Sequence, residues 1–301
     1  MAEEFSIHFW GVRGSRPSPG PQFVRTGGNT SCVEMRVGGH SLIFDAGTGI
    51  INLGYHLLEN AGEHKRPIII LLSHYHHDHI QGLPHFPPLY REGQPVYITA
   101  PWNIYQDRVW DLLMHASAQA SLGDRPEMRA RRHTLLIEGG ERLFWDSGHL
   151  VPLRITNDSQ AKPEGDQIEI ATYRSHAHPR GGSMCYRVKY GDKSAVFATD
   201  TESYVGSDQG LIEFARDADL IIHDAHYTPD EYSNPKASRQ GWGHSTWPMA
   251  VQMARLANIP QVALFHHDPD HDDALMDEVE AAAKADYPGA FVTREGQAVV
   301  L

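Results

Sequence analysis

The chain has 301 residues, 41% hydrophobic and 21% charged, a globular balance that excludes wholesale disorder. Its 26 basic and 38 acidic side chains leave a formal net charge of −12, which argues against a partner made of long nucleic acid. Cys32 and Cys185, the two cysteines, are too few for a disulfide framework or a cysteine-rich zinc module.

The opening MAEEFSIHFWGV is acidic, and no apolar run approaches the roughly 18 residues of a membrane span, so a cytoplasmic protein without membrane contact is expected. Histidine is the anomaly, at 20 residues. Imidazole is the commonest metal ligand and a common acid/base group, so the positions of these residues decide the reading.

The first fifty residues alternate apolar runs with Gly-rich turns, and FSIHFWGV, SCVEMRVGG and HSLIFDAGTG predict strands. Residues 53–60 predict a short helix, and PIIILLS a buried strand, apolar along its length. Residues 105–121 carry a helical pattern, the basic cluster RPEMRARR (125–132) reads as a solvated helix face, and residues 150–166 form the most polar irregular stretch. Strands are predicted at 153–156, 168–173, 183–190 and 194–198, the last two joined by a hairpin at Gly191-Asp192-Lys193. Beyond Thr199 helices and strands alternate: helix 209–218, strand LIIHDA, helix 246–257, strand VALFH, helix 272–285. No linker, low-complexity tract or repeat interrupts the chain. The pattern predicts one α/β domain over residues 1–301, two sheets packed together with helices outside.

The chemistry concentrates in Ser73-His74-Tyr75-His76-His77-Asp78-His79, directly after the apolar strand. A rigid strand that ends in four histidines and an aspartate offers imidazole and carboxylate ligands from one turn, a donor set that suits zinc, iron or manganese. His77 reads as a solvated neighbour.

His-x-His-x-Asp-His after a strand is the hallmark of the metallo-β-lactamase superfamily, which this chain resembles over nearly its whole length. The resemblance continues in the Phe44-Asp45-Ala46-Gly47 turn, in SHAHPRGGSMCYRV, in VFATDTE and in VALFHHDPDH. It implies an αββα sandwich of two mixed β-sheets with outer helices. It also implies two divalent metal ions, Zn2+ before Mn2+ or Fe2+. His74, His76 and His178 would bind the first, Asp78, His79 and His266 the second, and Asp200 would bridge them. Two positions leave alternatives open: His176 lies beside His178, where Arg180 loosens the usual His-Pro-Gly-Gly spacing, and His267 lies beside His266.

Trp242-Gly243-His244-Ser245-Thr246 opens a predicted helix that Ser245 or Thr246 could cap, leaving an anion site at its N-terminus. The same segment resembles the phosphodiesterase branch of the superfamily, ribonuclease Z and its relatives, in which the histidine contacts the scissile phosphate and assists the leaving oxygen. That implies a catalytic role for His244, and one for Asp78 beside its ligand role. Gly11-Val12-Arg13-Gly14-Ser15-Arg16 and Gly27-Gly28-Asn29-Thr30-Ser31 resemble loops of enzymes that open cyclic nucleotides, which makes Arg13, Ser15 and Asn29 candidate substrate contacts. Asp224 reads either as a partner of a metal ligand or as a strand-end turn residue.

The long Gly/Pro-rich arm with which ribonuclease Z holds transfer RNA has no counterpart in the sequence. The resemblance therefore implies a dinuclear phosphodiesterase, in the form of a homodimer, that opens a small and preferably cyclic nucleotide by attack of a metal-bound hydroxide. A lactone or thiolester hydrolase, RNA processing and a non-catalytic metal-binding protein are the alternatives.

Overall fold

The computed structural model describes residues 5–60, 66–101, 130–145, 153–155, 167–179, 181–204 and 207–301. The apolar runs become two mixed sheets. The first contains β1 (Ser6–Gly11), β2 (Cys32–Val37), β3 (His40–Phe44), β4 (Ile68–Leu71), β5 (Pro95–Pro101), β6 (Arg131–Ile137) and β15 (Ala298–Val300), in the order β15-β1-β2-β3-β4-β5-β6. The second contains β7 (Arg142–Trp145), β8 (Leu153–Ile155), β9 (Ile168–Ser175), β10 (Ser183–Tyr190), β11 (Lys193–Ala198), β12 (Leu220–Asp224), β13 (Gln261–Phe265) and β14 (Ala290–Val292), in the order β14-β13-β12-β11-β10-β9-β7-β8. Each sheet is antiparallel on one side and parallel on the other, with parallel pairing from β3 to β6 and from β11 to β14.

Alternation along the strands fills three apolar layers. Phe9, Phe44, Ile69, Leu71, Phe197 and Phe265 meet between the sheets. Ile68 and Ile70 point the other way, beneath helix α1 (Gly49–Glu59), which is why β4 reads as apolar at every position. Val196, Ile221 and Val262 pack under the helices that α3 (Gln209–Ala215), α5 (Trp247–Leu256) and α6 (Asp273–Asp286) contribute to the far face. Two short helices, α2 (His77–Ile80) and α4 (Pro229–Tyr232), complete the described set. The layers are thus αββα.

Phe197 is fully buried, with its ring 5.2 Å from that of Phe44 and 5.8 Å from that of Phe265. Phe197→Ala should cost about 3–5 kcal/mol of stability. A fall in the denaturant midpoint at unchanged slope checks this, and an unmoved midpoint would contradict the inter-sheet core.

The hairpin forms as expected, with Tyr190 paired to Lys193 across Gly191-Asp192 and Gly191 at φ 59°. Three expectations change. Helix α1 begins at Gly49 rather than at residue 53, because Gly49 serves close packing: a Cβ there would stand 2.5 Å from Trp10 O. The last residues of the basic cluster, 131 and 132, open the strand β6 at the edge of the first sheet rather than lying on a helix. Strands β5, β7, β14 and β15 were not among the predicted elements. The helical pattern at 105–121 and most of 150–166 lie outside the described residues, as does the basic cluster before residue 130. Among the described residues no helix is long and apolar enough to cross a membrane.

Candidate metal centre

The carboxyl ends of parallel strands converge on one edge of the sandwich, the usual place for a site in α/β sheets. Asp45 follows β3, the His74 segment follows β4, Asp200 follows β11, and His266 follows β13. Asp45, Asp200 and His266 have φ of 61°, 52° and 61°, a left-handed conformation that costs non-glycine residues about 1–3 kcal/mol each. The chain breaks sharply at each strand end, and three polar side chains leave the sheet there.

Four overlapping donor groups result among the described residues, each with its ligand atoms within 4.8 Å of one another. Two join His244 to His266, with either His226 or Asp200 and Asp224; the other two hold the residues singled out in the sequence, His74, His76, His178 and Asp200, and then Asp78, His79 and His266. Asp200 spans both. Its Oδ2 lies 3.6 Å from Nε2 of His74 and of His178. Its Oδ1 lies 3.2 Å from His79 Nε2 and 3.3 Å from His266 Nε2. His178 Nε2 is 3.0 Å from His76 Nδ1, and His266 Nε2 is 3.1 Å from Asp78 Oδ2.

Electrostatics fit a cation in each of these two groups. Burial alone would raise the pKa of Asp78 and Asp200, but the facing imidazoles outweigh it and hold both carboxyls well below their usual range. Burial and neighbouring imidazoles push His74 down, and push His76 to about 4, so both imidazoles are neutral at pH 7, as metal binding requires. Burial would lower His79 too, but Asp78, Asp200 and Asp45 raise it well above 6.5. The three carboxylates call for positive charge, which a divalent ion would supply. His74 Nε2 is buried with no hydrogen-bond partner, the state expected of a ligand atom aimed at an ion.

The candidate ligands are held from behind. Asp45 Oδ2 lies 2.7 Å from His79 Nδ1, which must donate to it, leaving Nε2 for the site. Asp45 also accepts from Ser73 N, Ser73 Oγ and Ser31 Oγ. His178 Nδ1 donates to Gly243 O at 3.0 Å, and His226 Nδ1 to His266 O at 2.7 Å. Asp45→Ala should weaken metal affinity about 10–100-fold, measured by chelator competition. Unchanged affinity would mean that His79 needs no orientation by Asp45.

His244 sits beside this cluster. Its Nδ1 donates to Asp224 Oδ2 at 2.7 Å and lies 4.0 Å from Asp200 Oδ2, and its ring is stacked against those of His226 and His266, which also touch each other. Burial lowers its pKa, but the Asp224, Asp200 and Asp78 carboxylates carry it up to about 9. Asp224 Oδ1 accepts from Ser245 N and His226 N, which fixes the loop.

The structure separates the sequence alternatives. His178 is buried in the cluster while His176 is exposed, and His267 faces Thr293 O instead of the ligands. His77 is exposed, and Ser15 donates its backbone N–H to Asp78 Oδ2 at 2.8 Å. Three expectations are corrected. Arg13 is fully buried and donates to the backbone carbonyls of Gly27, Asp268 and His271, so its guanidinium fastens loops instead of meeting substrate. The Asn29 amide is taken by Glu295 at 2.9 Å. Asp224, by contrast, does stand beside a metal-ligand candidate: its Oδ2 accepts from His244 Nδ1 and also lies 3.6 Å from His266 Nδ1. Helix α5 offers a poor anion site, because Pro248 lies in its first turn and Ser245 N–H is bonded to Asp224. Thr246 occupies the cap position, while Ser245 Oγ donates to Thr201 O.

Glu202 was missed: this buried carboxylate accepts from Tyr232 Oη, Gly241 N and Gly243 N, each at 2.7 Å, and ties the His244 loop to the Asp200 turn. Its position two residues after Asp200 was the only trace in the sequence.

Two mixed sheets between helices, with a His/Asp cluster at the strand ends, define a metal-binding hydrolase fold. Residues 40–267 match the model of the β-lactamase superfamily domain, and the chain belongs to that family. Ribonuclease Z of Pyrococcus furiosus is 23% identical over 96% of this chain and 94% of its own. The metallo-β-lactamase fold protein YhfI of Bacillus subtilis superposes with a TM-score of 0.67 at 18% identity, covering 99% of this chain and 100% of its own. The short form of human tRNase Z gives a TM-score of 0.60 at 19% identity, covering 98% of each chain.

Proposed function

We propose that the chain is a phosphodiesterase with two divalent ions, zinc first among them, and that it acts on small phosphodiesters, cyclic nucleotides above all. The observation that carries this reading is the His244–Asp224 pair set beside the doubly facing Asp200. His74, His76 and His178 would hold one ion, Asp78, His79 and His266 the other, and Asp200 both. Ions held there would supply the means to lower the pKa of water and to neutralise charge on an attacked phosphoryl group.

The chain's own residues do the rest. Asp224 accepts from Nδ1 of His244, which leaves Nε2 as the atom that contacts the phosphoryl group and donates a proton to the leaving oxygen. Asp78 orients the attacking water, and Ser15 N–H steadies Asp78. Glu202 holds the loop that carries His244. A homodimer is part of the proposal, and sedimentation tests it.

A second reading, RNA 3′-end processing, draws on the likeness to ribonuclease Z along nearly the whole chain. The net charge of −12 favours the small substrate, since phosphate-rich partners are held by basic surfaces. A screen of metal-reconstituted protein tests both, with cyclic nucleotides, bis(p-nitrophenyl) phosphate, precursor transfer RNA, a lactone and a thiolester as substrates. Turnover of the small diesters is expected. Efficient maturation of the RNA would select the second reading, and hydrolysis of the lactone or thiolester alone would reject both.

A further inference from the structure

Trp242 stands half in solvent, 54% exposed, although its neighbours Gly243 and His244 are buried. The chain does not leave it there loosely. Gly241 and Gly243 flank it at φ +81° and +90°, and both of their N–H groups donate to the buried carboxylate of Glu202. Gly243 is pressed against the ligand candidate His178, where a Cβ would stand 2.4 Å from Nδ1. The indole is therefore carried on a pinned arch, one residue from the carbonyl that orients His178 and two residues from His244. The Arg239 guanidinium lies 4.5 Å from its ring centroid. Tyr204, also 54% exposed, lies close to the same Glu202; partial desolvation and then that negative charge raise the phenol's pKa.

Single exposed aromatics are common on protein surfaces, but an indole whose flanking backbone is fixed by a buried carboxylate, beside the His244 cluster, has a use. Every nucleobase offers a π-face, and aromatic side chains hold bases by stacking whatever their sequence. A guanidinium on the ring adds positive charge near an anionic ligand in a chain that is otherwise strongly acidic. We propose that Trp242, backed by Arg239, is the stacking platform for the base of a nucleotide whose phosphodiester lies at His244. This inference rests on the phosphodiesterase reading and narrows its substrate class to diesters that carry an aromatic base.

The test compares wild-type, Trp242→Ala and Trp242→Phe proteins, metal-reconstituted. The substrates are adenosine 3′,5′-cyclic monophosphate and a base-free diester, glycerol 1,2-cyclic phosphate, which carries no aromatic ring. In Trp242→Ala the kcat/KM preference for the nucleotide should fall on the order of tenfold, through KM, and Trp242→Phe should restore most of it. Binding of the cyclic phosphorothioate analogue should quench tryptophan emission in wild-type protein. The quenching should be lost in both variants, with calorimetric affinity kept in the Phe variant alone. An equal fall for both substrates would make the arch merely structural, and an unchanged preference would remove Trp242 from recognition. If wild-type protein turns over neither diester, the phosphodiesterase reading fails, and quenching by the analogue decides the stacking separately.

Discussion

Asp200→Asn should lower kcat/KM for a phosphodiester by about 10³-fold or more and leave the protein short of metal. The substitution keeps the side-chain shape and removes the charge. In the native site each carboxylate oxygen faces a different donor group, Oδ1 toward His79 and His266, Oδ2 toward His74 and His178. An amide can turn one oxygen to one group only, and its NH2 then meets imidazole nitrogens that should be binding a cation. Metal ions contribute several kcal/mol of transition-state stabilisation, and each 1.36 kcal/mol is tenfold in rate. Elemental analysis and kinetics on the same sample check the result, with circular dichroism to show that the fold is kept. Native metal content together with native activity in the variant would remove Asp200 from its bridging place.

His244→Ala should keep the metals yet lose about 10²–10⁴-fold in kcat, the usual scale for a general acid or electrostatic stabiliser. The reasoning is geometric. His244 Nδ1 is committed to Asp224, so the ring presents one remaining nitrogen beside the cluster. The loss should shrink for p-nitrophenolate, which leaves without much protonation, and be largest for an alkoxide. An equal loss for good and poor leaving groups would reject the acid and leave phosphate positioning. Loss of metal would mean that His244, which lies within ligand distance of Asp200, Asp224 and His266, holds an ion itself.

Much of this centre was legible in the sequence because its chemistry is local. An all-apolar run followed by His74, His76, Asp78 and His79 states both a buried strand and what its end presents. Asp200 and His266 were legible for the same reason, each at the end of an apolar strand. The choice between His176 and His178 needed tertiary structure, since Gly243 O, from 65 residues away, accepts from His178 Nδ1. The same holds for what was misread. Arginine in a Gly-rich loop suggests an exposed phosphate cradle, but Arg13 turns inward to carbonyls more than 250 residues downstream. Asn29 meets Glu295 across 266 residues, and Glu202 gathers partners from a later helix and a later loop. No periodicity or short motif encodes such pairings. In the fold, glycine misled most: Gly49 suggests a turn, whereas it lets α1 lie against β1.

The central claim is that two ions act together at Asp200. It is tested most directly by adding zinc or manganese in increments to metal-free protein while following hydrolysis of bis(p-nitrophenyl) phosphate. Activity should rise to a plateau at about two ions per chain, the stoichiometry of a shared-carboxylate site. A plateau at one ion, or full activity in metal-free protein, would contradict it.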